Sequence, residues 1–330
     1  MARFSNPWLP EDQGFLKVLR WKFGNHPPDE FITTDDAPAS LIPFTPEAPP
    51  AEGWRITWLG HASFLVQGLG KSLLIDPVFS DHCAPFRMER FRRAVATPCR
   101  LEDLPRIDAV LLTHTHYDHL DLAALRKLGA EMPIVIAEGH TRWLRGKGFR
   151  NVRELPWWKD LELFPGMRLT ATPAQHFTAR TPFDRNKGHW CGWLLEGGGF
   201  KLWHAGDSGY CPAFREIGER FGPIDFAMIP IGAYSPRWFM QEIHMNPEEA
   251  VQAFVDARCR RAVAMHWGTF RLTDEPMREP PLRLKTALAA AGLPADAFTT
   301  GAVGQSWLLD QRGGGGNSSG DLGRKSLAGT

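Results

Sequence analysis

The stretch Thr113–Asp121, "THTHYDHLD", decides the fold. It places three histidines and two aspartates directly after the apolar run "IDAVLL". Such a run is typical of a strand covered on both faces, and the following "DLAALRKLG" predicts a helix closed by Gly129. The polar residues therefore lie on a tight loop at the end of a buried strand. Imidazole nitrogens and carboxylate oxygens suit zinc and similar first-row ions.

Three more candidate ligands follow what we predict to be strand ends. His176 closes "LTATPAQH", Asp207 closes "FKLWHAGD" and His266 closes "RAVAMH". Each alone is more often structural. Together with the four candidates of the loop they give five histidines and two aspartates, the number that two zinc ions need while keeping a position open for water. The complete set is His114, His116, Asp118, His119, His176, Asp207 and His266.

The order H-x-H-x-D-H, His, Asp, His resembles that of the metallo-β-lactamase fold superfamily. Flanking segments resemble N-acylphosphatidylethanolamine-hydrolysing phospholipase D over about residues 5–310, among them "WLGHASFLV", "AGDSGYCPAFREIGERFGPIDFAMIPIGAYSPRWFM" and "MHWGTF". The resemblance implies an α/β fold, a four-layer αβ/βα sandwich of two mixed β-sheets with helices outside. It also implies a di-zinc phosphodiesterase that releases an N-acylethanolamine and phosphatidic acid, and it suggests a homodimer.

Carried onto this sequence, the resemblance assigns the seven ligands to two ions. One zinc is held by His114, His116 and His176, the second by Asp118, His119 and His266, and Asp207 bridges both. Two metals that share a water lower its pKa and make a hydroxide, which attacks the phosphorus.

Other residues are expected around the metals. We expect Asp118 and Asp207 to orient the hydroxide. The family also suggests that His244 contacts the substrate phosphate, where it could donate a hydrogen bond or a proton. Metal-bound histidines need partners at their other nitrogen, and His61 and Asp76 are candidates, although a core histidine and an ordinary turn explain them equally well. Leu122 departs from the tyrosine of mammalian members, which leaves pocket shape and acyl preference open.

The remaining chain divides into three parts. Residues 1–53 predict an N-terminal extension with a short basic amphipathic helix at "GFLKVLRWKFG", and residues 54–310 predict the metallo-β-lactamase-like domain. Residues 311–330 predict a disordered tail, because their composition cannot bury apolar area. The helix start at "NPEEAV" is well signalled, with Asn246 at the cap, Pro247 at the first turn and Glu249 at the third position.

Composition limits the partners. The formal net charge of +1 and the lack of a basic stripe argue against nucleic acid. Five scattered cysteines, no secretory signal and no long apolar run indicate a cytoplasmic protein, possibly peripheral on a membrane. For a phospholipid substrate, candidate membrane contacts are the N-terminal helix and the loops Phe86–Arg93 and Pro236–Met240.

Three alternatives remain open from the residues alone. "THTHYDH" does not separate a phosphodiesterase from a lactonase or another di-zinc hydrolase of a small soluble metabolite. A nuclease of the same superfamily is disfavoured by charge. A membrane-bound scaffold that keeps its metal for stability is disfavoured because structural zinc sites are usually closed and rich in cysteine.

Overall fold

Two seven-stranded sheets form within residues 4–9, 20–21, 24 and 29–310, which the structure, a computed structural model, describes. The strands, in chain order, are β1 (Trp54–Gly60), β2 (Ser63–Gly68), β3 (Lys71–Ile75), β4 (Ala109–Leu112), β5 (Ile134–Ala137), β6 (Val152–Leu155), β7 (Asp160–Phe164), β8 (Met167–Thr172), β9 (Gly192–Gly197), β10 (Phe200–His204), β11 (Phe226–Pro230), β12 (Ala262–Met265), β13 (Phe298–Thr300) and β14 (Ser306–Leu309). The first sheet has the order β14-β1-β2-β3-β4-β5-β6 and the second β13-β12-β11-β10-β9-β8-β7.

Both sheets are mixed in the same way. In the first, β14 to β3 pair antiparallel and β3 to β6 pair parallel. In the second, β7 to β10 pair antiparallel and β10 to β13 pair parallel. Parallel strands need crossover connections, and these carry the helices. The helices are α1 (Leu122–Leu128), α2 (Thr141–Gly146), α3 (Ala213–Phe221), α4 (Arg237–Met240), α5 (Pro247–Asp256) and α6 (Glu279–Ala290).

Strand β4 is apolar throughout because both of its faces are buried. Ala109 and Leu111 belong to the large core that joins both sheets, whereas Val110 and Leu112 belong to a separate cluster that includes Leu125 of α1. Successive side chains of a strand point to opposite faces, so both faces of β4 are covered. On the second sheet, Trp203 of β10 packs edge-on against Phe214 of α3, 5.7 Å between ring centroids. The predicted four-layer αβ/βα sandwich is confirmed.

Two helix starts follow their sequence signals. Asn246 accepts a hydrogen bond from the Glu249 N–H (2.9 Å), and Glu249 accepts one from the Asn246 N–H (3.1 Å), which is the predicted capping box of α5. Asp121 accepts from the Ala123 N–H (2.8 Å) and caps α1, which ends at Gly129 with a φ of 104°. The Asp121 cap therefore fixes where the loop 113–121 ends and α1 begins, and Gly129 fixes where α1 ends.

Some predicted segments lie partly or wholly outside the described residues. Of the amphipathic helix predicted at 14–24, only Arg20, Trp21 and Gly24 are described, and the first two are helical. The tail 311–330 lies entirely outside them. No helix in the described part of the chain is long and apolar enough to cross a bilayer.

Replacing the cap of α5 tests its contribution to stability. Asn246→Ala removes the side-chain acceptor of the Glu249 N–H, and we expect it to lower the free energy of unfolding by about 1 kcal/mol. Urea denaturation followed by circular dichroism measures the change. Gln252→Ala, on the exposed face of the same helix, is the control and should change stability by less than about 0.5 kcal/mol. Equal losses in both variants would mean that the cap is unimportant.

Candidate metal centre

The loop 113–121 is anchored at its start by a buried carboxylate. Asp76, just beyond β3, accepts hydrogen bonds from the Thr113 N–H (2.8 Å) and the Thr113 hydroxyl (2.5 Å). Downstream, the Leu120 N–H donates to the His116 carbonyl (2.9 Å). These contacts turn the chain at the carboxyl end of β4 and direct the side chains of residues 114–119 towards the second sheet.

The other three predicted ligands come from the second sheet. His266 directly follows β12, as predicted. The predicted strand ends at His176 and Asp207 are wrong, because β8 already ends at Thr172 and β10 at His204. Each of these two residues lies on the loop that leaves its strand. The loops still converge, because β8, β10 and β12 run in the same direction in this sheet and so have their carboxyl ends at the same edge. All seven predicted ligands come together there.

Three histidines form the first group. His114 Nε2 and His116 Nδ1 are 2.9 Å apart, and His116 Nδ1 and His176 Nε2 are 3.2 Å apart. Two nitrogen ligands of a tetrahedral zinc ion, each at 2.0–2.1 Å, are separated by about 3.3 Å. The three nitrogens are thus arranged as ligands of one cation.

The second group combines carboxylates and imidazoles. Asp118 Oδ2 lies 3.5 Å from His119 Nε2 and 3.4 Å from His266 Nε2. Asp207 Oδ2 lies 3.0 Å from each of these two nitrogens and 3.7 Å from His176 Nε2 of the first group. Asp207 therefore stands between the two groups, as the resemblance implies for a bridging ligand.

Hydrogen bonds fix the orientation of the ligand rings. His114 Nδ1 lies 2.9 Å from the Thr113 hydroxyl, His119 Nδ1 donates to Asp76 (2.7 Å), and His176 Nδ1 donates to the Ile243 carbonyl (3.0 Å). Each bond holds the proton on Nδ1, which leaves the Nε2 lone pair for a metal.

His61 and Asp76 both support ligands. The His61 ring donates from Nε2 to Asp118 Oδ2 (2.8 Å), and its carbonyl accepts from the His266 N–H (3.1 Å). The Asp76 carboxylate accepts hydrogen bonds from His119 Nδ1 and from the Thr113 N–H. His61, Asp76 and His266 all have positive φ angles of 53°, 42° and 62°. Such angles are uncommon outside glycine and cluster at functional sites.

Burial and charge set the protonation of the first group. Burial lowers the pKa of His116 and of His176 to about 3, and that of His114 well below its usual range. These rings are therefore neutral at pH 7, which is the form that binds metals.

The second group is charged. Burial alone would raise the pKa values of Asp118 and Asp207, but the facing histidines hold both well below the ordinary value. Burial opposes a charge on His266 too, yet Asp207 and Asp118 raise its pKa to about 9. The two carboxylates therefore need positive charge beside them, and a bound divalent cation would supply it in place of the ring protons.

Buried side-chain atoms without a hydrogen-bond partner also indicate a cation-binding site. Asp207 Oδ1 and the Nε2 atoms of His119 and His266 are buried and have no hydrogen-bond partner among the described residues. Such atoms are rare in native structures and point to an ion or ligand. The donor set of imidazoles and carboxylates without thiolate suits zinc or a similar ion.

His244 lies beside both groups. Its ring centroid is 5.0 Å from that of His176 and 5.2 Å from that of His266, and burial lowers its pKa well below the usual value. It is one of a cluster with Asp207 and His176 whose ligand atoms lie within 4.8 Å. A neutral imidazole here is placed to hydrogen-bond a molecule bound at the metals.

Three arginines stacked on aromatic rings surround the ligand loops. Arg180 lies 3.9 Å from the ring centroid of Tyr117, Arg185 4.1 Å from that of Phe177, and Arg20 5.1 Å from that of Trp238. We call this set the arginine rim. The sequence did not reveal this set, because two of its three pairs join residues far apart along the chain and Phe177 and Arg185 show no periodic pattern. The neighbours Tyr117–Asp118 and His176–Phe177 indicated only that aromatic residues lie near the candidate ligands.

The predicted membrane contact at Pro236–Met240 needs correction. Phe239 and Met240 are buried, 5% exposed each, and pack with Ile243 in an apolar cluster that also includes Trp21. Arg237 is engaged by Glu249 (2.7 Å). Leu122 is partly buried against a different apolar cluster, the one between the first sheet and α1 that includes Val110, Leu112 and Leu125.

The loop Phe86–Arg93 is different. Phe86 is 74% and Met88 45% exposed, next to exposed arginines. Large apolar side chains without a covering partner mark possible interaction sites when they are contiguous.

Comparisons with known proteins agree with this geometry. A family model described as "Beta-lactamase superfamily domain" matches residues 71–267. The N-acyl-phosphatidylethanolamine-hydrolyzing phospholipase D 1 of Caenorhabditis elegans is 36% identical over 274 residues, which cover 79% of this chain and 77% of that protein. The mitochondrial N-acyl-phosphatidylethanolamine-hydrolyzing phospholipase D of Saccharomyces cerevisiae is 35% identical over 69% of this chain, which spans only half of that relative's length. Among solved structures, Igni18, a metallo hydrolase from Ignicoccus hospitalis, aligns with a TM-score of 0.59 at 25% identity and covers 78% of this chain and 98% of its own.

Removing the charge that supports His119 tests the centre. Asp76→Asn replaces an acceptor of the His119 Nδ1 proton, and we expect metal affinity to fall about 10- to 100-fold. Competition with a chromogenic chelator measures the affinity. Asp108→Asn is the matched control, since that carboxylate accepts the Ser72 N–H (3.0 Å) away from the ligands. Unchanged affinity in Asp76→Asn, or an equal fall in Asp108→Asn, would contradict the assignment.

Proposed function

Because this chain belongs to the β-lactamase superfamily and is a metal-dependent hydrolase, we propose that it is a phosphodiesterase of phospholipase D type. Its substrates are N-acylphosphatidylethanolamine-like lipids, and its products are an N-acylethanolamine and phosphatidic acid. The nematode and yeast relatives carry this activity in their names. The position of Asp207 between two groups of candidate ligands supports metal-dependent hydrolysis. The observation that carries the lipid phosphodiester is the 36% identity with the nematode relative over 79% of this chain.

We propose two Zn²⁺ ions as the cofactor. His114, His116 and His176 would hold the first, Asp118, His119 and His266 the second, and Asp207 both. Bound there, the ions supply Lewis-acid chemistry, lowering the pKa of a water and offsetting the charge that develops on a phosphate.

The protein's own residues orient the reactants. His61 holds Asp118 Oδ2 (2.8 Å), so the carboxylate keeps one orientation in which it accepts a proton of the attacking water. Asp207 is fixed at 3.0 Å from both His119 and His266. The neutral ring of His244 donates a hydrogen bond to a phosphate oxygen or to the oxygen of the leaving alcohol.

The surroundings favour an anionic substrate with apolar substituents. The arginine rim places positive charge around the ligand loops, which favours an anion over a neutral molecule. The Arg180 guanidinium itself donates to the carbonyls of Thr115 (2.8 Å) and Leu120 (2.9 Å) and so holds the ligand loop. Phe177 lies 4.5 Å from the ring of His116. A small neutral lactone needs neither feature. The rim therefore supports a phosphodiester over the lactone.

We further propose transient contact with a membrane surface. Phe86 and Met88 would enter the interface while Arg87, Arg90 and Arg92 meet anionic headgroups. We also propose a cytoplasmic protein that is peripheral on a membrane and, from the family resemblance, forms a homodimer.

Product analysis tests the proposed chemistry. Purified zinc-loaded protein given N-acylphosphatidylethanolamine should release N-acylethanolamine, detected by mass spectrometry, and Asp118→Asn should lower the rate by about 100-fold or more, since it removes a ligand and the water-orienting charge. Asp160→Asn, at a surface ion pair with Arg168, is the control and should keep full activity. Hydrolysis of a simple lactone without turnover of either this lipid or bis(p-nitrophenyl) phosphate would refute the proposed substrate class.

Vesicle flotation tests the membrane contact. The double variant Phe86→Ser/Met88→Ser should bind vesicles of anionic phospholipid at least about 100-fold more weakly, because each side chain loses about 1.5–3 kcal/mol of favourable burial in the interface. Its turnover of soluble bis(p-nitrophenyl) phosphate should match that of the wild type. Val255→Ser, an exposed apolar residue of α5, is the control. Equal vesicle binding by all three proteins would argue against this loop.

A further inference from the structure

The segment that precedes β1 reaches two loops that carry ligands. Asn6 donates from Nδ2 to the carbonyl of the ligand His176 (2.8 Å). The Ala39 N–H donates to the carbonyl of Gly268 (2.9 Å), two residues beyond the ligand His266. A Cβ at Gly268 would lie 2.8 Å from the Ala39 nitrogen, so the two backbones are in close contact. The family match begins only at residue 71, and these contacts come from outside it.

A third contact of the same segment is made by the partly buried carboxylate of Asp29. Asp29 Oδ2 accepts hydrogen bonds from the Ser235 hydroxyl (2.7 Å) and from the Arg237 N–H (2.9 Å). Arg237 is the first residue of α4, and the residue before it, Pro236, provides no side-chain cap. Asp29 therefore supplies the acceptor that this turn lacks, from 208 positions away along the chain.

The turn capped by Asp29 holds the main chain of His244 on both sides. The His244 N–H donates to the Met240 carbonyl at the end of α4 (2.8 Å). The Arg237 guanidinium donates to the His244 carbonyl (3.1 Å) and to Glu249 of α5 (2.7 Å). A shift of Arg237 would thus displace both backbone anchors of His244.

A second carboxylate holds the chain just before this turn. Glu275 is buried and accepts hydrogen bonds from three consecutive N–H groups, those of Ala233 (2.6 Å), Tyr234 (3.3 Å) and Ser235 (3.1 Å). Among the described residues before β1, Asp29 is the one whose side chain hydrogen-bonds to the stretch from Ala233 to Arg237. Removing Asp29 therefore loosens the part of the loop nearest to His244, while the Glu275 anchor and the packing of Trp21 against Phe239 stay in place.

We propose that Asp29 is a positioning residue for His244, which makes the segment before β1 a working part of the hydrolytic centre. The proposal rests on the proposed function, because it takes His244 to contact the substrate. Asp29 does not reach the ligands itself; it acts through Arg237 and α4.

Three variants separate this role from general stability. Asp29→Ala removes the acceptor, and Asp29→Asn keeps one amide oxygen as an acceptor. Asp35→Asn is the matched control, since the Asp35 side chain accepts the local Ala37 N–H (3.0 Å) in the same segment and the substitution leaves its carbonyl, which accepts the Arg278 N–H, in place. With bis(p-nitrophenyl) phosphate, Asp29→Ala should lower kcat about tenfold with KM and metal content unchanged. Asp29→Asn should retain at least about a third of wild-type kcat, and Asp35→Asn all of it. A loss in Asp29→Asn as large as in Asp29→Ala would contradict positioning by hydrogen bonds.

A double-mutant cycle gives the decisive readout. In a His244→Ala background, Asp29→Ala should lower kcat by less than twofold, because the residue that it positions is gone. If Asp29→Ala lowers kcat by the same factor in both backgrounds, its effect does not pass through His244 and the proposal is wrong.

Hydrogen–deuterium exchange measures the same coupling without catalysis. Asp29→Ala should speed exchange several-fold in peptides spanning 235–246 and leave peptides spanning 262–266 unchanged, whereas Asp35→Asn should change neither. Unaltered exchange at 235–246 would overturn the proposal even in an active enzyme. Failure of the wild type to hydrolyse any phosphodiester would instead overturn the proposed function, since the exchange result is independent of it.

Discussion

The structure depends on gathering seven polar side chains at one edge of two apposed sheets. Asp118 and Asp207 are ionised among buried imidazoles, and removing a carboxylate from water costs several kcal/mol unless a cation or donors replace the lost hydration. The surrounding loops are organised around that requirement. Asp76 turns the chain after β4 and His61 joins the loop of Asp118 to that of His266.

Much of the centre and its frame could be predicted from the sequence. The density of ligands in 113–121 and the apolar strand before it fixed the place of the site, and the capping box at Asn246 and the glycine at 129 fixed helix ends. These signals are local, because each depends on residues that are neighbours along the chain. The separate ligands His176, Asp207 and His266 were found because each follows an apolar strand, although two of those strands end earlier than predicted.

What was missed depends on distant or weak patterns. Strands β5 and β6 have four residues each, too few for a reliable period, and β7 contains no buried residue. The burial of Phe239 and Met240 results from packing with Trp21, far away in the chain, and a surface loop rich in aromatic residues looks the same in sequence. Likewise, nothing near Asp29 indicates that its partner is Arg237. Such contacts are set by the assembled fold, so only the structure reveals them.

The order of the ligands along the chain has a consequence for how the protein matures. His114 and His116 leave the ribosome first, and the last ligand, His266, follows about 150 residues later. At typical elongation rates of about 5–20 residues per second, the early histidines wait roughly 8–30 seconds before the set is complete. If these residues hold metal as proposed, the nascent chain exposes a partial set of ligands during translation, and the set is complete only when the second sheet has folded against the first.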